Sequence, residues 1–426
     1  MSHAVASPDA TLRRTVLPNG LTVLSEFMPG VRSVAFGAWI RAASIHESPE
    51  AMGVSHFLEH MVFKGTRRRS ARQIALELEA LGGSLDAYTA REHTTFEARV
   101  LDEHLDIAAD VIGDIVFHPA LRVKDAQLER KVILEEIGMV DDTPDDLVFE
   151  LHSQALWGAS PYGYQILGTR ETVASLGVDE LRALHERAYR PSQIVVAASG
   201  NVSHERLLEA LERTGWLAQE DRSSAATLVA PAPSPVPAAR RHVPREGAQT
   251  HIVLGAVTVP HCDPLRRAIV LLSTVLGGGM SSRLFQRVRE ELGLAYDVHS
   301  FHEFHADTGI HGMYVGTGPD TATQALDAIH EELAAVAANG IPESELAMGK
   351  SQLKGQLTLA LERPSARLYR AAAVELYGEP WRSLDELLQE IDAIDAHDVS
   401  AAAARYMAPA AQTIVSLGPG EAPWLA

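Results

Sequence analysis

Four prolines at every second position, Pro231, Pro233, Pro235 and Pro237, lie among Ala and Ser in a stretch from 217 to 247 that breaks the hydrophobic patterning on either side. Alternating proline holds a chain extended and removes backbone donors, so this stretch predicts a stiff linker. It divides the 426-residue chain into a first part, 1–216, and a last part, 248–426. The length exceeds what one ordinary core serves, and each part is long enough for its own. The two parts also run in the same order, which restricts the fold more than any composition statistic.

In the first part, strands are expected over 13–41, with a hairpin turn at Pro18-Asn19-Gly20. A helix carrying two histidines follows and ends at Gly65. The next is capped by Ser70 and closed by Gly82-Gly83. Strands at 84–89 and 94–100 precede helices at 105–117 and 124–140. Thr143 is expected to cap a helix reaching Trp157, and 158–168 reads as a loop. A helix at 178–189, a strand at 194–199 and a helix at 203–214 complete this part. The last part runs strand 251–259, helices 265–276 and 282–291, strands 295–304 and 309–316, long helices 321–337 and 342–361, and a final strand 413–417. The segments 78–99 and 288–314 share one helix–turn–hairpin plan. The prediction is an α+β fold of two structurally similar, duplicated domains, each a mostly antiparallel sheet with helices packed on it.

A net charge of −19 argues against broad nucleic-acid binding and against docking on anionic membranes. No run of about 18 apolar residues predicts a membrane span. Met1–Arg14 lacks the basic-then-apolar layout of a secretory signal. The single Cys262 excludes an internal disulfide framework and a cysteine-based metal cluster. A cytoplasmic protein is expected.

The chemistry concentrates in Gly53–Met61. His56 and His60 are four apart, so on a helix both imidazoles project from one face and can share a tetrahedral metal. Glu59 lies beside them without being placed to ligate. H-x-x-E-H is a zinc-peptidase pattern, though two surface histidines in a chain holding 19 would give the same spacing. Hydrolysis wants a third protein ligand, and spacing alone leaves any downstream His, Asp or Glu open. Glu129, Glu135 and Glu136 stand out on a helix with an apolar face, and solvated helix acids would read the same way.

GVSHFLEHMVFKGT (Gly53–Thr66) together with ERKVILEEI (Glu129–Ile137) resembles the pitrilysin/insulysin family of zinc metallopeptidases, most closely its half-length, mitochondrial-processing-peptidase-like members of bacterial type. The resemblance spans essentially the whole chain. It implies one Zn2+ per chain on His56, His60 and Glu136, with Glu59 as general base on zinc-bound water. Glu129 would orient a histidine ligand, and Glu135 would be a bystander. The implied function is a zinc-dependent metalloendopeptidase that cuts peptides or unfolded, extended segments in a closed chamber, the chain forming half of a clamshell. Ala87, Tyr88 and Thr89 match the edge strand on which substrate is added. Asp86 stands where the family usually has Asn, and a carboxylate cannot donate the amide's hydrogen bond. Arg289 and Tyr296 match a substrate-holding pair that a half-length chain must obtain from a second subunit, so a homodimer is expected. Asp146 and Glu150 match acidic positions that bind a substrate arginine in processing peptidases. Gly277-Gly278-Gly279 reads as a flexible turn and not a phosphate loop. The competing reading is a non-catalytic structural or peptide-binding subunit of the same fold, which the intact set of zinc residues disfavours.

Overall fold

A computed structural model describes residues 12–221 and 228–422 of the protein. The first eleven residues, read above for a signal, and positions 222–227 of the linker lie outside the described residues.

The chain opens with β1 (Arg13–Val16), β2 (Thr22–Phe27) and β3 (Ser33–Ile40), then α1 (Val54–Val62) and α2 (Ala71–Glu79). β4 (Ser84–Thr89) and β5 (Thr94–Leu101) lead to α3 (Leu105–Phe117), α4 (Val123–Asp142), α5 (Pro144–Trp157), α6 (Arg170–Ser175) and α7 (Val178–Ala188). β6 (Ile194–Gly200) and α8 (His204–Arg213) follow, and then β7 (Arg240–Pro244), β8 (Thr250–Thr258) and α9 (Arg266–Gly277). β9 (Ala295–Phe304), β10 (Gly309–Thr317), α10 (Ala322–Asn339), α11 (Glu343–Ala360), α12 (Pro364–Tyr377), α13 (Leu384–Ala393), α14 (Ala396–Tyr406) and β11 (Thr413–Gly418) complete it.

Local signals account for most of these boundaries. Gly20 takes φ +88° between β1 and β2, which pair antiparallel. Ser70 and Gln73 form a reciprocal capping box at the start of α2. Thr143 precedes Pro144 as expected, but its hydroxyl donates back to Met139 O at 2.7 Å instead of capping α5. The helix expected at 282–291 is a π-helical segment, Phe285–Glu291. The end of the expected linker is a strand, β7, paired parallel with β11.

The six-stranded sheet has the order β1-β2-β6-β3-β5-β4, and the five-stranded sheet β7-β11-β8-β10-β9. Strands β2 to β6 correspond one for one with β7 to β11. β2 and β6 are parallel, as are β7 and β11, and every other pairing in both sets is antiparallel. The duplication expected from sequence order is therefore present in topology: this is a mixed fold with two sheet-containing domains.

Two compact units each gather residues from three stretches of the chain. One comprises Met1–Leu134, Gln165–Ala230 and Thr358–Glu386, and the other Glu135–Tyr164, Pro231–Leu357 and Leu387–Ala426. In the first, α12 lays Leu368, Ala371 and Ala372 against Leu24, Ala35, Trp39, Val195 and Ala197 of the sheet, with α3 and α8 also packed on that sheet. In the second, α5 places Val148 against Val253, Tyr314, Val415 and Leu417. The reason is that central strands such as β3 and β8 are buried almost throughout, so each sheet needs a helical layer on both faces. Each sheet takes one covering helix from the other part of the chain.

Candidate metal centre

α1 is nine residues long and buries Phe57, Leu58, Met61 and Val62, which fixes its rotation and brings His56 and His60 to the other side. Their rings stand 4.5 Å apart between centroids. Burial pushes His56 down to about 3, with the neighbouring His60 ring adding to the effect. A neutral imidazole keeps the lone pair that a metal needs.

Glu129 and Glu136 are seven residues apart on α4, two turns along one face. Glu129, nearly fully buried, accepts from His60 Nδ1 at 2.9 Å through Oε1 and from Lys64 Nζ at 2.6 Å through Oε2. A carboxylate only accepts, so the bonded proton is on Nδ1 and the lone pair of His60 is on Nε2. Donor atoms of His56, His60 and Glu136 all lie within 4.8 Å of one another. Two imidazole nitrogens and one carboxylate oxygen are the donor set of a hydrolytic zinc site, so these residues fit the ion. Glu135 is exposed on the same helix.

Glu59 is 8% exposed and accepts from Thr89 Oγ1 at 2.7 Å. Burial, and secondarily the charge of Glu59, push the Tyr189 hydroxyl well above its usual range. Thr89 is the last residue of β4, which ends the strand order of its sheet. Among the described residues β4 pairs only with β5, which leaves its other edge without a strand partner. Ala87, Tyr88 and Thr89 are half-buried along it, and exposed Asp86 faces Glu97 across the ladder, a like-charge pair.

Arg289 and Tyr296 belong to the second unit and contact each other. The guanidinium sits 4.5 Å from the Tyr296 ring centroid and 4.7 Å from that of Phe285, and it donates to Tyr296 O at 3.1 Å. The Tyr296 side chain is largely exposed. Asp146 and Glu150 are one turn apart on α5, the first exposed and the second half-buried. Between them Phe149 stacks on Tyr314 at 5.5 Å.

Sequence reasoning did not single out Lys64 or the Thr89 hydroxyl. Lys64 follows His60 by four residues, a spacing that places it over the same side of the chain. Nothing local pairs the Thr89 hydroxyl with Glu59, which tertiary packing brings to it.

Residues 22–170 match the insulinase domain of peptidase family M16, and residues 175–353 match the peptidase M16 inactive domain. The chain belongs to the M16 (insulinase) peptidase family. His56, Glu59, His60, Glu129 and Glu136 fall within its insulinase domain, and Arg289 and Tyr296 within the domain that the family calls inactive. An uncharacterized zinc protease of Streptomyces coelicolor is 40% identical over 92% of this chain and 86% of its own length. Another, YmxG of Bacillus subtilis, is 39% identical over 91% of this chain and 94% of its own. In fold, the chain is similar to an M16 inactive-domain protein from Pseudomonas fluorescens, with TM-score 0.89 and 21% identity, covering 97% of this chain and 99% of that one. It is equally similar to a protease from Helicobacter pylori, with TM-score 0.89 and 20% identity, over 96% of this chain and 100% of that one.

Proposed function

We propose that this M16 family member is a zinc-dependent metalloendopeptidase acting on peptides or unfolded, extended segments of polypeptide. The observation that carries the reading is the convergence of His56, His60 and Glu136 beside a buried Glu59 that is already held by a hydrogen bond. Zn2+ bound by His56, His60 and Glu136 would supply Lewis-acid polarisation of the scissile carbonyl and activate water as the nucleophile.

The chain's own residues do the rest. Glu59 takes the proton of the attacking water and passes it to the leaving amine. Thr89 keeps that carboxylate in one orientation, and Glu129 fixes the tautomer of His60. An extended substrate pairs with the outer edge of β4 at Ala87–Thr89, where backbone hydrogen bonds accept any sequence. Arg289, its guanidinium over both the Phe285 and the Tyr296 ring, is held ready to donate to a substrate carbonyl alongside Tyr296.

Arg289 and Tyr296 act in this reading from a second copy of the chain, in a homodimer that closes a chamber around the substrate. Asp146 and Glu150, one turn apart, give a preference for a basic side chain near the cut. The exposed lone cysteine suits the reducing cytoplasm. Hydrolysis of an unfolded peptide by the zinc-loaded protein, abolished by a chelator and restored by zinc, tests the reading. Stoichiometric zinc with no cleavage would favour a structural or peptide-binding subunit instead.

A further inference from the structure

α1 begins without a cap of its own. Its N-cap is Gly53, at φ +89°, which has no side chain to accept from the first turn, and no acidic residue stands in that turn. A glycine is required there because a Cβ would lie 2.6 Å from Leu167 O. The acceptor comes from outside the helix. Glu47, 8% exposed, receives the Gly53 N–H on Oε2 and the Ser55 N–H on Oε1, both at 2.8 Å. Its carboxylate thus takes the place of the missing cap and puts negative charge at the positive end of the helix.

Glu47 is itself fixed. It follows the 3-10 turn Ser44–His46, where its N–H donates to Ser44 O at 3.2 Å and the Ile45 N–H donates to Arg91 O at 3.0 Å. Arg91 lies in the turn between β4 and β5, two residues beyond Thr89. One line of hydrogen bonds therefore runs from the hairpin of the edge strand, through the 44–46 turn and the Glu47 carboxylate, into the turn that carries His56. Glu47, Val54 and Ser55 together line one wall of a cavity of about 290 Å³, whose other walls include His46, Glu180 and Arg187. Packing is incomplete there, so the two hydrogen bonds carry the constraint. A nine-residue helix has little stability of its own with which to replace them. Burial pushes the Glu47 carboxyl up to about 7, against the pull of Ser55 and of the Gly53 N–H toward the charged form.

We propose that Glu47 is a positioning residue of the metal site, clamping the first turn of α1 so that His56 is presented at a fixed place relative to the substrate-binding edge. This rests on the peptidase reading above. It touches neither substrate nor the reacting atoms, and acts through His56.

The test compares wild type with Glu47→Gln and Glu47→Asp. Zinc affinity is measured by competition against a chromophoric chelator, kcat and KM are measured at saturating zinc, and the apoprotein is followed by far-UV circular dichroism and its melt. Glutamine keeps the size but can accept at only one of the two positions, so zinc affinity is expected to fall about 10- to 100-fold, as for other groups that orient a ligand. With zinc saturating, kcat falls and KM stays, while the apoprotein melt is preserved. Aspartate, which keeps both acceptors on a shorter arm, recovers part of the affinity. Zinc affinity and kcat of Glu47→Gln within twofold of wild type would overturn the inference alone. Loss of the apoprotein fold in Glu47→Gln would also overturn it, assigning Glu47 to general stability. A wild-type protein that binds no zinc would overturn the peptidase reading, and this inference with it.

Discussion

His60 and Glu129 are joined by a 2.9 Å hydrogen bond from the imidazole Nδ1 to a carboxylate whose second oxygen is taken by Lys64. The bond settles which ring nitrogen faces away from α4, and it links the two helices that supply every donor of the candidate site. Replacing Glu129 by Gln removes the negative charge from both contacts. Zinc affinity should fall about 10- to 100-fold while the fold persists. Chelator competition on the purified variant measures this, and unchanged affinity would show that the bond does not support the metal.

Thr89 offers a way to perturb Glu59 without touching the three candidate ligands. Its hydroxyl is bonded to Glu59 and not to a ligand. Thr89→Val keeps the shape and the strand but removes the donor. A hydrogen bond to a charged group contributes roughly 1.5–3 kcal/mol, so kcat should drop by about tenfold or more. Zinc affinity should not change. A loss of zinc with kcat intact in the zinc-saturated variant would contradict this division of roles.

If Arg289 works from the partner copy, two dead variants should rescue each other. Glu59→Gln and Arg289→Ala are each expected to be nearly inactive. Mixed and allowed to exchange subunits, they form hybrids in which one site has both an intact Glu59 and an intact Arg289. Activity should return toward one site per hybrid dimer. No recovery in a mixture shown to contain hybrids would place the pair in the same chain as the site it serves.

The second domain carries its own acid sensitivity. His311 on β10 is fully buried, and burial, with His302 opposite it, pushes its ring down to about 3. Among the described residues no hydrogen-bond partner meets either ring nitrogen. His152, hydrogen-bonded to Thr413 O, is pushed down to about 4 by burial. Above the ordinary histidine value both rings are neutral folded or unfolded, and stability is unaffected. As pH falls below about 6.5 the unfolded chain takes up protons that the folded chain refuses, so stability is lost, by at most about 1.4 kcal/mol per pH unit for each group. Urea unfolding at pH 7 and pH 5 should show this slope, and His311→Leu should reduce it by about one proton. An equal slope in the variant would remove His311 as its source.

Features written in local periodicity were legible beforehand. The four-residue spacing of His56 and His60 and the seven-residue spacing of Glu129 and Glu136 each select one helix face; α4 forms with both ends within two residues of those expected, and α1 ends at Val62, three residues before Gly65. The duplication was visible as a repeated order of elements. Partner choice was not, because an amphipathic stripe says that a helix will pack but not on which sheet. α5 and α12 are covered by the sheets of opposite parts of the chain for that reason. β7 reads RRHVP, with no alternation and a proline, and is a strand only because β11 offers it an edge. Lys64 and Glu47 escaped notice on the same ground: each is an ordinary surface-type residue until folding brings its partner. Thr143 had the right identity for a cap and found a nearer acceptor in Met139 O.

Peptide cleavage as proposed depends on Glu59 acting as the base at a metal held by His56, His60 and Glu136. Zinc content and chelator-sensitive peptide cleavage, measured together on wild type and Glu59→Gln, test it most directly. Both proteins should hold one zinc per chain, and the variant should cleave at least about 100-fold more slowly. Cleavage at the wild-type rate by zinc-loaded Glu59→Gln would contradict the account.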